Sequence, residues 1–184
     1  YAFFGIGAYA FSLLLVAGYP LPVCFAFSVV FTAAVAFLAS FPLFRLHGDY
    51  FAFGTLALMP LAEVLAFNLT PITRGADGVV LPAKYVLYEA YWIALGVCVV
   101  ALATTIRLNK LPFGYALKGI RNDEQAAEIV GIRIFPAKAK VLCLSAGFAG
   151  IAGAVQAWQL SYIDPPSVFV LDVGLVPTAM ALLG

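Results

Sequence analysis

Charge is scarce in this sequence: Asp, Glu, Lys and Arg together make up 10% of its 184 residues. A soluble domain carries about 25%. Hydrophobic residues make up 64% instead, and the mean hydropathy is +1.04. So few polar side chains cannot cover a water-facing globule. That excludes a water-soluble enzyme, a nucleic-acid binder and a disordered tail, and leaves the bilayer as solvent. Ten basic against nine acidic residues give a net charge of +1, which by itself points to no partner.

Other scarcities narrow the chemistry. His47 is the single histidine, and without a second ligand it makes no metal site, so it reads as a solvated loop residue. Cys24, Cys98 and Cys143 sit in apolar runs with no Cys-x-x-Cys spacing, so they read as small buried apolar residues. There is no nucleophile–base arrangement and no paired carboxylate set, so no catalysis is expected. The phosphate-loop pattern Gly-x-x-x-x-Gly-Lys-[Ser/Thr] is missing as well, so ATP is not bound by that route. A signal-peptide pattern is also lacking, and both ends fall inside apolar runs. The expectation is a piece of a longer membrane protein without its two termini.

Long apolar runs are what the sequence does have. A spanning helix needs about 20 mostly apolar residues, at about 1.5 Å rise each through about 30 Å of hydrocarbon. Spans are expected near Tyr1–Ala17, Val23–Phe44, Tyr50–Leu69, Val86–Ile106 and Val141–Leu160, with a truncated sixth near Leu171–Gly184. The fold class is therefore all-α and polytopic, with about six transmembrane helices in one partial domain covering 1–184. Gly18-Tyr19-Pro20-Leu21-Pro22 is a tight turn. Pro71 to Lys84 is a longer loop, and Asp164-Pro165-Pro166 is another breaker. Arg45-Leu46-His47-Gly48-Asp49 is either a short surface loop or a break inside the membrane.

Arg107 to Lys140 is the one extended hydrophilic stretch, with seven of the ten basic residues. The positive-inside bias places it in the cytoplasm. Counting spans backwards puts Arg45 on the same side and leaves Arg74 and Lys84 outside. Tyr19, the group Tyr85, Tyr88, Tyr91 and Trp92, and the pair Trp158 and Tyr162 then mark the outer interface, where amphipathic rings are favoured. In the fifth span Ser145, Ala149, Gly153 and Ala157 form one small-residue stripe, and Ala146, Gly150 and Ala154 another. Such stripes let helix backbones approach closely in lipid.

Within the cytoplasmic stretch, Ala116, Leu117, Ile120, Ala127 and Val130 recur near helical spacing. Asn122 or Asp123 can cap a helix over Glu124–Val130 that Gly131 stops. Short helices joined at Arg121–Asp123, with an exposed apolar-and-small face, follow. Two uses fit that face: lying on the membrane, or docking a partner.

The run Gly114-x-Ala116-Leu117-x-x-Ile120-Arg121-x-Asp123-Glu124-x-Ala126-Ala127-x-x-x-Gly131-Ile132 resembles the cytoplasmic loop of branched-chain amino acid ABC-importer permeases. Phe4-Gly5-Ile6-Gly7-Ala8-Tyr9-Ala10, Arg45-Leu46-x-Gly48-Asp49-Tyr50-Phe51-Ala52 and Thr73-x-Gly75-x-Asp77-Gly78 are similar to the same family, in the same order. The sequence departs from the general loop at Gln125, carries Arg74 where a second glycine is expected, and has Met59-Pro60 where relatives often place a carboxylate. Pro60 should kink the third span.

The resemblance implies a translocation subunit of a bacterial inner membrane, not an enzyme. It implies separate ATP-binding cassette subunits that carry ATP and Mg, a second, related permease and an extracellular or periplasmic solute-binding protein. The chain itself would bind no cofactor. Residues 107–140 would be the coupling segment. Leu117, Ile120, Ala127 and Val130 would form its contact surface, Arg121, Asp123 and Glu124 would set register, and Ala126 and Gly131 would complete the motif. A bulky residue at Ala127 would then block docking with the membrane fold intact. Gly48, Tyr50, Thr55 and Glu63 are the candidate substrate-path residues. Glu63 has two readings: it meets a substrate ammonium, or a neighbouring helix satisfies it near the outer interface. Glu89 and Asp172 read as interfacial. Rival functions are a permease for urea or short amides, an ion-coupled secondary transporter, and a structural membrane subunit.

Overall fold

The computed structural model of the chain describes residues 1–46, 49–81, 86–160, 162–169 and 180. The expected sixth span, His47, Gly48, Lys84, Tyr85 and Asp172 lie outside the described residues. In chain order the elements are α1 (Ala2–Val16), α2 (Leu21–Leu43), α3 (Asp49–Asn68), α4 (Thr70–Thr73), a 3-10 turn (Gly75–Asp77), β1 (Val79–Val80), α5 (Leu87–Lys110), α6 (Pro112–Asn122), α7 (Glu124–Ile129), α8 (Ile134–Leu160), β2 (Tyr162–Ile163) and α9 (Pro165–Val168). Among the described residues four helices, α2, α3, α5 and α8, are long and apolar enough to cross a membrane, and α1 is a shorter apolar helix of 15 residues.

Two helix starts follow from proline chemistry. Pro20 caps α2 with extended backbone and Pro22 occupies its second position, where a missing N–H removes no intrahelical bond. The same reason corrects the expected start of the fifth span. α8 begins at Ile134 and carries Pro136 in its first turn, so Lys138 and Lys140 belong to the helix. Their long stems leave the ammonium groups at the interface. α3 continues through Pro60 to Asn68.

The bundle centre is a close packing of α1, α2 and α8. The buried stripe of α2 is Cys24, Ser28, Thr32, Ala36 and Ser40, each fully buried and four residues apart. Ser28 shares its hydroxyl proton between the carbonyl oxygens of Gly7, at 2.9 Å, and Gly150, at 3.1 Å. A Cβ at Gly7 would overlap the Gly150 backbone, and one at Gly153 would overlap the Phe4 carbonyl. The other hydroxyls bond within their own helices: Thr32 to the Ser28 carbonyl at 2.6 Å, Ser40 to Phe37 at 2.6 Å, and Ser12 to Ala8 at 2.7 Å. No buried hydroxyl in this stripe is left unsatisfied, as lipid requires.

Aromatic contacts fix the direction of the helices. Phe25 of α2 meets Trp158 of α8 edge-on at 6.0 Å, and Phe11 of α1 lies 4.7 Å from Phe25. At the other end Phe41 and Phe44 pack on Phe135 at 5.2 and 5.9 Å. α2 therefore runs antiparallel to α1 and α8. Arg45 and the basic residues of α5 to α8 gather at the Phe135 end, which the positive-inside bias makes the inner end, while Arg74 lies at the Trp158 end.

α5 packs chiefly on α8, and none of its apolar window is buried. Cys98 on this helix is exposed, against the buried position its apolar run suggested; Cys24 is buried and Cys143 intermediate. An apolar groove of about 980 Å³ runs between α2, α5 and α8, floored by Gly96 and Gly147. At the outer end, β1 and β2 pair antiparallel, Val79 opposite Ile163 and Val80 opposite Tyr162. They join two loops that the sequence reading kept apart.

Replacing Ser28 with Ala should lower bundle stability by about 0.6 kcal/mol and at most about 1.7 kcal/mol, the range for interhelical hydrogen bonds in membranes. Gly7→Leu should instead abolish a monodisperse fold, because the Gly150 backbone that the added side chain would meet cannot yield. Thermal unfolding followed by size-exclusion chromatography in detergent checks both.

Candidate functional site

The inner end carries the candidate site, built from α6, α7 and the first turns of α8. Leu111 leaves α5 with extended backbone and Pro112 starts α6. Asp123 then breaks the helix and caps the next one: its Oδ1 accepts from the amides of Gln125 at 2.8 Å and Ala126 at 3.1 Å. Glu124 follows in the first turn, where the helix dipole favours a carboxylate. The helix ends at its C-cap Val130, and Gly131 takes φ +89°, a left-handed conformation that suits glycine. The expected cap, helix and stop are all present, with α7 ending at Ile129.

A small apolar core holds this unit onto α8. Ile120, Ala127 and Ala137 are buried there, and Phe113, Leu117, Ile132 and Ile134 pack around them. An ion pair between Glu124 and Lys138 ties α7 to α8 on the surface. Both groups are partly exposed, so the pair is worth about 0–1 kcal/mol and mainly sets orientation.

This placement corrects the expected contact surface. Ile120 and Ala127 face inward, with 6% and 5% exposure. They meet Ala137 because α7 folds back on α8, and a small Ala127 is what lets it approach. The exposed apolar tip is Ile129 and Val130, at 87% and 80%. Arg121, Asp123, Glu124, Ala126 and Gly131 are exposed, and Leu117 is half-buried. A bulky residue at Ala127 would therefore displace α7 from α8 by crowding Ile120 and Ala137. Ile129 went unmarked because helical spacing shows that residues share a face but not which face meets the bundle.

The candidate path residues are not brought together. Gly48 lies outside the described residues. Tyr50 is exposed at 74%, Thr55 is half-buried and bonds to the Ala52 carbonyl at 2.8 Å, and Glu63 is half-buried nearer the outer end of α3. Tyr50 and Glu63 are separated by about 20 Å of helix at 1.5 Å per residue. A cavity of about 1270 Å³ opens at the inner end between the α2–α3 turn, α7 and α8, lined by Phe44, Phe51, Glu128, Arg133 and Lys138 among others. The sequence reading also passed over Ser28, although the spacing-four stripe from Cys24 to Ser40 was visible.

Several apolar helices, small-residue packing and a capped helical unit on the basic end define a multi-pass helical membrane protein. A family profile described as the branched-chain amino acid transport system permease component matches residues 1–184. The chain belongs to that family. Two curated relatives, both high-affinity branched-chain amino acid transport system permease proteins LivM, come from Salmonella typhimurium strain LT2 and Escherichia coli strain K12. Each is 30% identical over 214 aligned residues, covering 99% of this chain and 50% of the relative. The chain thus spans about half the length of the curated relatives it matches. No solved structure matches it.

Asp123→Ala should lower the stability of α7 by about 1 kcal/mol, the usual loss for an N-cap, while Asp123→Asn should retain most of it. Hydrogen exchange at the Gln125 and Ala126 amides reads the difference. Ala127→Trp should speed exchange across α7 far more, through overpacking against Ile120 and Ala137.

Proposed function

We propose that this chain is a membrane-spanning permease component of an ATP-driven importer for branched-chain or related amino acids, in a bacterial inner membrane. ATP-binding cassette subunits would hydrolyse ATP with Mg on the cytoplasmic side, a second permease would complete the path, and a solute-binding protein would deliver substrate. The observation that carries the reading is the exposed Ile129–Val130 tip on a capped helix seated against α8. An apolar pair so exposed beside capped, charged residues suits insertion into a socket of another subunit. The Ile120–Ala127–Ala137 core would pass movement of that tip to α8, and the glycine contacts would pass it to α1 and α2. The names of the curated relatives support the substrate class.

The test is uptake by the complete protein, purified with its co-purifying subunits and reconstituted in proteoliposomes. Leucine uptake should require ATP, and urea uptake should be negligible. Uptake driven by an ion gradient without ATP would overturn the proposal. Ile129→Asp and Val130→Asp should each weaken capture of the ATP-binding subunit by at least about tenfold, as loss of an interface hot spot does. The melting temperature should stay unchanged, since neither side chain is part of the fold's core.

A further inference from the structure

The two lysines in the first turns of α8 serve different faces. Lys138 lines the inner cavity beside α7, where Glu124 pairs with it. Lys140 lines the apolar groove between α2, α5 and α8, where it is the only charged lining residue. It is exposed, and among the described residues it has no acidic partner. The groove opens because α5 leans on α8 and stands off α2. Lys140 marks its basic end, and Arg107 and Lys110 close α5 at that same end of the bundle. Farther along the groove, Gly96 stands in the middle of α5. Glycine weakens a helix relative to alanine, and here no close packing requires it: an added Cβ at Gly96 would meet nothing within 4 Å. The space it leaves belongs to the groove and to none of the described helices.

We propose that the groove between α2, α5 and α8 is a binding site for an anionic phospholipid, its acyl chain lying along Gly96 and Gly147 and its phosphate meeting Lys140. The site needs the helices to lie in a bilayer and depends on nothing that the chain transports. Length fits the occupant: Lys140 to Ile151 is about 16 Å of helix, and one leaflet contributes half of about 30 Å of hydrocarbon. A second helix fits less well. Over Pro136 to Ile151, about 22 Å, a rod about 10 Å across fills about 1,700 Å³, against about 980 Å³ in the groove. A helix would also have to bring an acidic residue to Lys140, whereas a phospholipid carries its anion at the level where the lysine stands. Entering the groove gains an acyl chain no hydrophobic energy over bulk lipid, so close fit and headgroup charge decide occupancy.

The test uses the complete protein with its co-purifying subunits, in nanodiscs containing a phosphatidylglycerol with a photoactivatable group on its acyl chain. Illumination should label Ala33, Gly96, Val100 and Gly147, which line the groove. Unlabelled phosphatidylglycerol should displace that labelling at least about fivefold better than phosphatidylcholine does, as one basic group beside an anionic headgroup provides. Labelling at Val30, Leu38 and Val99, exposed on the same helices, should not distinguish the two lipids. Gly96→Leu should cut groove labelling below about one-fifth, the least that overpacking a filled site costs, without lowering the melting temperature. Lys140→Gln should keep the labelling and lose about fivefold of the preference. Equal competition by the two lipids would mean ordinary lipid contact and overturn the site. A preference that survives Lys140→Gln would overturn it too. An unlabelled groove would mean that protein covers this face, and the lipid site would fall.

Discussion

The backbone contact of α1, α2 and α8 at Gly7, Ser28 and Gly150 is the constraint on which the rest depends. In lipid, apolar side chains gain nothing by turning inward, so helices associate through close dispersion contacts and hydrogen bonds. Here Gly7 and Gly153 remove the side chains that would hold α1 and α8 apart, Gly150 leaves room for Thr32 of α2, and the Ser28 hydroxyl reaches the carbonyls of Gly7 and Gly150. Each of the three helices carries its small residues on the face that meets the other two. That shared vertex fixes the relative height of the three helices and hence which residues lie at each end.

Both ends inherit their geometry from this vertex. At the inner end, α8 extends beyond the apolar core to Ile134 and offers Ala137 and Lys138 to α6 and α7. A displacement of the Ile129–Val130 tip therefore acts on a helix that is itself locked to α1 and α2. At the outer end the same α8 leads into β2, and Phe169 comes to rest on Gly5 of α1. One helix, α8, thus runs from the α6–α7 unit at one end to the β1–β2 pairing at the other. α3 and α5, more loosely packed, complete the periphery.

The family resemblance also has physical content when set on the structure. In Phe4-Gly5-Ile6-Gly7-Ala8, Gly7 admits the Gly150 backbone, Gly5 admits the Phe169 ring, and the Phe4 carbonyl touches Gly153. In Asp123-Glu124-x-Ala126-Ala127, Asp123 caps, Glu124 pairs with Lys138, and Ala127 is small so that α7 can lie on α8. These glycines and this alanine are sites of close approach. Val79 and Ile163, outside any motif, make the pairing that joins the outer loops.

The sequence by itself determined that the chain lives in a bilayer, where α1, α2 and α3 begin and end to within a turn, which ends of the helices carry the basic residues, and that Gly131 stops a helix capped at Asn122 or Asp123. Those properties are local: hydropathy, proline, glycine and charge act over a few residues. It did not show that α8 starts at Ile134, because the lysines there looked like loop until Pro136 was seen in a first turn. Only the tertiary structure decided that Ala127 faces inward and Ile129 outward, that Ser28 bridges two helices, and that loops 84 residues apart pair as Val79 with Ile163. Helical spacing reports which residues share a face, and the partner that covers the face comes from a distant part of the chain.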